Sequence, residues 1–168
     1  GLQKNSVQGD SRITDFFVPL GISTQYTESG IKLRHNGERC KKLTLDLSDQ
    51  PDLAQTLVTT CAFKNIAFRF SGLQSLKIKE TDRIEALKRE LKKLGYVIND
   101  IRDSILEWNG ERCETGSSVS IDTYEDHRMA MAFAPAAFIH PGIRINHPEV
   151  VSKSYPSFWD DMKSAGFD

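Results

Sequence analysis

Lys79, Glu80 and Arg83 fall within one short stretch of the chain, His127 and Arg128 are adjacent, and Asp52 and Lys153 stand to either side of them. Arginine and lysine hold phosphate and carboxylate groups, arginine through a planar fork that matches two oxygens at once. Asp52 and Glu80, set among such cations, would stay ionised or be poised to move a proton. These residue types suit chemistry on a small anionic substrate. Each also has a structural reading. Thr81 or Asp82 can cap a helix with Arg83 paired to a nearby acid, His127 can be a capping or structural histidine, and Lys153 alone points nowhere.

What joins them is the organisation of the chain. Asn-Gly-Glu-Arg-Cys occurs at 36 to 40 and again at 109 to 113, and an internal repeat of this kind decides architecture. Upstream, Gln8-Gly9-Asp10-Ser11-Arg12-Ile13 leads to Leu20-Gly21 as Lys79-Glu80-Thr81-Asp82-Arg83-Ile84 leads to Leu94-Gly95. A weaker copy relates Gln50-Pro51-Asp52-Leu53 to Glu125-Asp126-His127-Arg128, and a third relates the stretch from Lys153 to Gly166 to that from Asp82 to Gly95.

The periodicities give the unit its elements. Leu43, Leu45 and Leu47 alternate with polar residues as a half-buried strand does. Pro51 opens a helix over 53 to 63, and Ala67, Phe68 and Phe70 form a short strand. Ile84, Leu87, Leu91 and Leu94 make the apolar stripe of an amphipathic helix that Gly95 ends. Strands at 96 to 98 and 105 to 108 follow, closed by the hairpin signal Asn109-Gly110. The expected fold is therefore α/β (α+β), built from repeated β-α-β-α-β-β units: residues 1 to 40 the second half of one unit, 43 to 113 a complete unit, and 119 to 168 the first half of another. Unpaired strand edges are expected at both breaks, with self-association through them, as in a part of a larger protein. In such units Asp52 and His127-Arg128 occupy equivalent helix starts, and Lys79, Glu80, Arg83 and Lys153 surround the starts of the other helix type. Helix starts carry unpaired N–H groups and partial positive charge, so a polyanion site is expected there.

Composition limits the alternatives. The 168 residues carry 22 Lys and Arg against 23 Asp and Glu, a net charge of −1, so no clustered basic surplus for nucleic acid or an anionic membrane is expected. The longest apolar run, 129 to 139, is far short of the roughly 20 residues of a membrane span. No signal-peptide pattern is visible, and a cytoplasmic location is expected. Cys40, Cys61 and Cys113 are widely spaced, which reads as free thiols rather than a metal site. Neither a GxGxxG nor a P-loop pattern occurs, so no nucleotide cofactor is expected.

Three motifs in order, Lys79-Glu80-Thr81-Asp82-Arg83-Ile84, Asp126-His127-Arg128-Met129-Ala130-Met131, and Val151-Ser152-Lys153-Ser154-Tyr155-Pro156-Ser157-Phe158-Trp159, resemble the C-terminal part of the EPSP synthase (3-phosphoshikimate 1-carboxyvinyltransferase) family. Val7-Gln8-Gly9-Asp10 agrees with the start of that region. The resemblance covers essentially the whole chain. It implies transfer of the enolpyruvyl group of phosphoenolpyruvate to the 5-hydroxyl of shikimate 3-phosphate, in the pathway to chorismate and aromatic amino acids. It implies a cleft between two domains, of which the first is absent here, so that the chain alone is expected to be inactive.

Carried over by position, the resemblance makes Asp52 the base at the 5-hydroxyl and Glu80 the proton shuttle at the phosphoenolpyruvate methylene. Lys79 binds shikimate 3-phosphate and supports proton transfer. Arg83, Arg128, Lys153 and His127 form the phosphoenolpyruvate pocket, which is also the expected pocket for glyphosate. Ser75, with Asp52 and Lys79, is assigned to shikimate 3-phosphate, although some members carry a longer Asn at that position. No metal is implied. A non-catalytic anion-binding or assembly module is the alternative of a different class. UDP-N-acetylglucosamine enolpyruvyl transferase is disfavoured by the first two motifs.

Overall fold

In the computed structural model, residues 3–116 and 118–167 are described. A 3₁₀ turn (Gly9–Arg12) and a single helical turn α1 (Ile13–Phe16) precede a hairpin of β1 (Ile22–Thr27) and β2 (Gly30–His35). Then come β3 (Lys42–Asp46), α2 (Ala54–Phe63), β4 (Ala67–Ser71), α3 (Arg83–Lys93), β5 (Asn99–Ile101) and β6 (Ile105–Trp108). The last stretch runs β7 (Ser120–Ile121), α4 (His127–Phe133), β8 (Arg144–Ile145) and α5 (Phe158–Ser164). Helix and strand mix throughout, so the fold is α/β.

The central sheet has the order β3-β4-β6-β5, with β3 and β4 parallel and the rest antiparallel. Register places Leu43 beside Phe68 and Phe68 beside Trp108, all buried on one face. Arg69, in the alternate positions, pairs with Glu107 at 3.1 Å on the other face. Helices α2 and α3 supply Leu57, Val58, Cys61, Ile84, Leu87 and Leu91 to the same core. Each fully buried aliphatic or aromatic side chain there stabilises the fold by roughly 1.5–3 kcal/mol. Burial also pushes the Cys61 thiol up to about 12, so it packs as an inert apolar group.

Three local features aim the polar residues. Pro51 starts a 3₁₀ turn (Pro51–Leu53) that carries Asp52 at the head of α2. Gly72 has φ +78°, and a Cβ there would overlap the hydroxyl and amide of Ser48. Only glycine lets the ends of β3 and β4 approach so closely before the chain turns into the 3₁₀ segment Gln74–Ile78 and Lys79. Asp82 caps α3 by accepting from the Glu85 N–H at 3.0 Å. The same helix ends in a Schellman motif: Tyr96 N–H donates to Leu91 O, Gly95 N–H to Lys92 O, and Gly95 sits at φ +86°.

The expected strand at 96 to 98 and the Asn109-Gly110 hairpin are corrected. The strand is β5, at Asn99–Ile101, and the chain reverses at Arg102 and Asp103, both with φ +54°. Asn109-Gly110 instead folds the chain back so that Arg112 bridges to Tyr96, its guanidinium 3.9 Å from the Tyr96 ring centre. The strong Asn-Gly signal concealed a turn made without glycine. The apolar run 129 to 139 also divides. Pro135 lacks the N–H that would extend α4, and a 3₁₀ segment (Ala134–Phe138) follows.

Candidate active site

Arg83 is the first residue of α3 and its side chain is only 2% exposed. A buried guanidinium must be paired and fully hydrogen-bonded. Its Nε donates to Asp126 Oδ2 at 2.6 Å, Nη1 to Asp52 Oδ1 at 2.8 Å, and Nη2 to Glu80 Oε2 at 2.7 Å. Asp126, with no exposed surface, also caps α4, its Oδ1 accepting the Arg128 N–H at 2.9 Å. One carboxylate therefore ties the starts of α3 and α4 together.

Asp52 is the second hub. It accepts from Arg83, and its carboxylate lies 3.3 Å from Lys79 Nζ and 3.6 Å from Arg128 Nη2. Arg128 Nη1 also donates to the Asp52 carbonyl at 3.1 Å, and its Nη2 meets Asp10 Oδ2 at 3.3 Å. Partial burial pushes the Asp52 carboxyl upward, but Arg128, Lys79 and Arg83 outweigh it and hold it below the ordinary range. Glu80 is also lowered, first by its own backbone N–H, against some desolvation, and then by Arg83 and His127. Both carboxylates are thus ionised at neutral pH.

Asp52, the short stretch holding Lys79, Glu80 and Arg83, and Arg128 come from three separate parts of the sequence and meet in one cluster. Lys153 does not join it: its Nζ donates to the Glu125 carbonyl at 3.1 Å, beside a cavity of about 530 Å³ that also includes Tyr124, His147 and Ser152. Among the described residues neither His127 nor Ser75 has a side-chain hydrogen-bond partner. Two members escaped the sequence reading. Asp126 and Asp10 were legible as members of the repeat and of the family motifs, but neither was singled out as a partner for a cation. A buried arginine needs more than one acid, and that requirement was the signal available for Asp126; Asp10 instead meets the partly exposed Arg128, and nothing local announced that pairing.

Two of the helix starts are partly filled: Asp82 caps one N–H of α3, that of Glu85, and Asp126 caps one of α4, that of Arg128. Lys79, Arg83 and Arg128 face Asp10, Asp52, Glu80 and Asp126, so an incoming anion must exchange with carboxylates rather than occupy an empty basic pocket. Among the described residues no group of three or more His, Cys, Asp or Glu is placed to hold a metal ion. An apolar groove of about 330 Å³ between α2 and α4, lined by Thr56, Phe63, Met131 and Phe138, shares no residue with the cluster. Among the described residues no helix is long and apolar enough to cross a membrane.

The family model for EPSP synthase (3-phosphoshikimate 1-carboxyvinyltransferase) matches residues 1–162. A 3-phosphoshikimate 1-carboxyvinyltransferase of Bacteroides fragilis is 62% identical over 167 residues, which is 99% of this chain and 41% of that protein. One of Syntrophobacter fumaroxidans is 37% identical over 96% of this chain and 38% of its own length. The solved EPSP synthase of Acinetobacter baumannii shares the fold, with a TM-score of 0.66 at 24% identity, over 91% of this chain and 38% of that one. The chain thus spans about two-fifths of the length of these relatives. With a family match over nearly its full length and a relative of high identity, the chain belongs to the EPSP synthase family.

Proposed function

We propose that this chain forms one wall of a cleft in which the enolpyruvyl group of phosphoenolpyruvate passes to the 5-hydroxyl of shikimate 3-phosphate. The observation that carries the reading is the convergence of Arg83, Arg128 and Lys79 on Asp52, with Glu80 on the same guanidinium. Acid and base are then separate groups around one anion-binding centre.

In this scheme Glu80 takes up a proton from solvent as the bound substrate draws Arg83 away, gives it to the methylene carbon of phosphoenolpyruvate, and accepts one back from the methyl group in the last step. The neighbouring carbon takes the 5-oxygen as Asp52 accepts its proton. A tetrahedral adduct results. The bond to the phosphate oxygen then breaks, phosphate leaves, and a methyl proton departs to restore the double bond. The ion pairs supply the timing. When substrate carboxylate and phosphate take over the donors of Arg83 and Arg128, Asp52 loses two of the cations that hold its proton affinity down, and Glu80, lowered first by its own backbone N–H, loses the further influence of Arg83. Both become better proton acceptors as the reaction begins, which suits Asp52 as base and Glu80 as a shuttle. Lys79, beside Asp52 and with about a third of its side chain exposed, is placed to meet a phosphate from solvent. Lys153 and His127 contribute once a ligand or the rest of the protein closes over them. Closure would exclude water and strengthen each of these contacts.

The test measures phosphate release with both substrates, for the chain alone and for the chain mixed with the part of the Bacteroides fragilis relative that it does not match. Turnover only in the mixture is expected. Absence of both turnover and phosphoenolpyruvate binding in a folded mixture sinks the reading. Turnover by the chain alone at the rate of the intact relative refutes its dependence on a second wall.

A further inference from the structure

Glu90 lies about two turns along α3 from Arg83, on the same helix face, and has no exposed surface. It makes no contact with Asp52 or with any cation of the cluster, so the proposed chemistry leaves it unexplained. Its acceptors are nevertheless filled. Oε1 accepts the Tyr124 hydroxyl at 2.7 Å, and Oε2 accepts the Asp122 N–H at 3.0 Å and lies 2.6 Å from Lys93 Nζ. Lys93 continues the grip, donating to Ser120 O at 3.1 Å and to Asp122 Oδ2 at 2.8 Å. Asn146, at the end of β8, donates to the other Asp122 oxygen at 2.7 Å.

The segment so held is a strained one. Tyr124 and Glu125 have φ of +54° and +57°, and the Asp126 N–H donates back to Thr123 O at 2.9 Å. Two consecutive left-handed residues with side chains are costly, and such a turn persists only where its surroundings over-determine it. Directly after it come Asp126, His127 and Arg128. The face of α3 therefore grips this turn at both ends, Glu90 at Asp122 and Tyr124, and Arg83 at Asp126.

We infer that Glu90 is a positioning residue: it holds the Tyr124–Glu125 turn in its left-handed form and thereby aims Asp126, His127 and Arg128 at Asp52 and Arg83. The inference rests on the reading of that cluster as the wall of the reaction cleft. It assigns Glu90 no contact with substrate.

The experiment reads amide hydrogen exchange by NMR in the chain itself, comparing the Arg128 N–H with the amides of β4 and β6. Glu90→Ala is expected to speed exchange at Arg128 by roughly tenfold or more while the sheet amides keep their rates. Glu90→Gln, which keeps one acceptor, falls between. Adding Glu125→Gly, which removes the left-handed penalty at one position, is expected to slow the Arg128 amide again in the Glu90→Ala background. An unchanged Arg128 rate, an equal rise across the sheet, or no rescue by Glu125→Gly overturns the inference. If Glu90→Ala does not fold, Tyr124→Phe carries the test, with a rise of about threefold at Arg128 expected and no rise overturning it. A final measurement separates the two claims. In the mixture with the Bacteroides fragilis part, Glu90→Gln should raise KM for phosphoenolpyruvate more than it lowers kcat. If exchange responds as expected while both constants stay put, the positioning role stands and the cleft reading falls.

Discussion

Arg83 and Lys153 are both cations just before or at the start of a helical segment in the repeat, yet they end in opposite situations. Arg83 is buried and meets three carboxylates. Lys153 is exposed and meets one backbone carbonyl. The difference shows that repeat position does not assign a role. A cation with three acidic partners is part of the framework before any substrate arrives, whereas a cation held by one carbonyl keeps most of its donor capacity for a ligand.

The largest expected effect attacks the Arg83 side. Arg83→Met should destabilise the fold by about 3–5 kcal/mol in urea denaturation, because it leaves Asp126 buried without its counter-charge. A loss under about 1 kcal/mol would erase the contrast with Lys153. Asp126→Asn keeps an oxygen for the Arg128 N–H but drops the charge facing Arg83, so a smaller loss of about 1–3 kcal/mol is expected by the same measurement.

Acid titration sharpens the same side. Asp52 and Glu80 have folded-state pKa values below their ordinary ones, so the folded chain binds fewer protons than the unfolded chain in acid. Their stabilisation is complete above the ordinary carboxylate values of about 4 and is lost as the pH falls through the lowered folded-state values. Thermal midpoints across this window should fall steeply for the parent chain and more gently for Arg128→Met, which removes the largest cationic influence on Asp52. A parallel fall in the two would refute the cluster as the cause.

The smallest effect on stability belongs to Lys153. Lys153→Met should shift it by no more than about 0.5 kcal/mol, while phosphoenolpyruvate affinity in the mixture drops by about tenfold, or about 1.4 kcal/mol. A Lys153→Met variant that unfolds more readily yet binds normally would reverse the two roles.

Much of the architecture was legible because it rests on local rules. The stripe Ile84, Leu87, Leu91 and Leu94 and the stop at Gly95 specify α3 to within a residue at each end, since periodicity and a left-handed glycine act over a few residues. Pro51 likewise marked the head of α2. The turn at Arg102 and Asp103 was not legible, because its left-handed residues are not glycine and a stronger Asn-Gly signal lay close by. In the cluster, Asp52, Glu80 and Arg83 were found from residue type and repeat position. Asp10 and Asp126 were missed as partners because their pairings cross long stretches of chain.

The sequence by itself determined the helix and strand order from β3 to α3, where α3 starts and stops, and that acids and bases gather near helix starts, because these follow from side-chain periodicity, capping and turn chemistry over short distances. Only the tertiary structure decided which acid meets which base. Burial turns Arg83 from one cation among several into the one that must be fully paired, and it sets Lys153 apart from the cluster. It also gives Glu90, an ordinary polar position on the helix pattern, the buried seat from which it holds the turn before Asp126. Charge pairing depends on distance and dielectric, and neither is written in a linear order of residues.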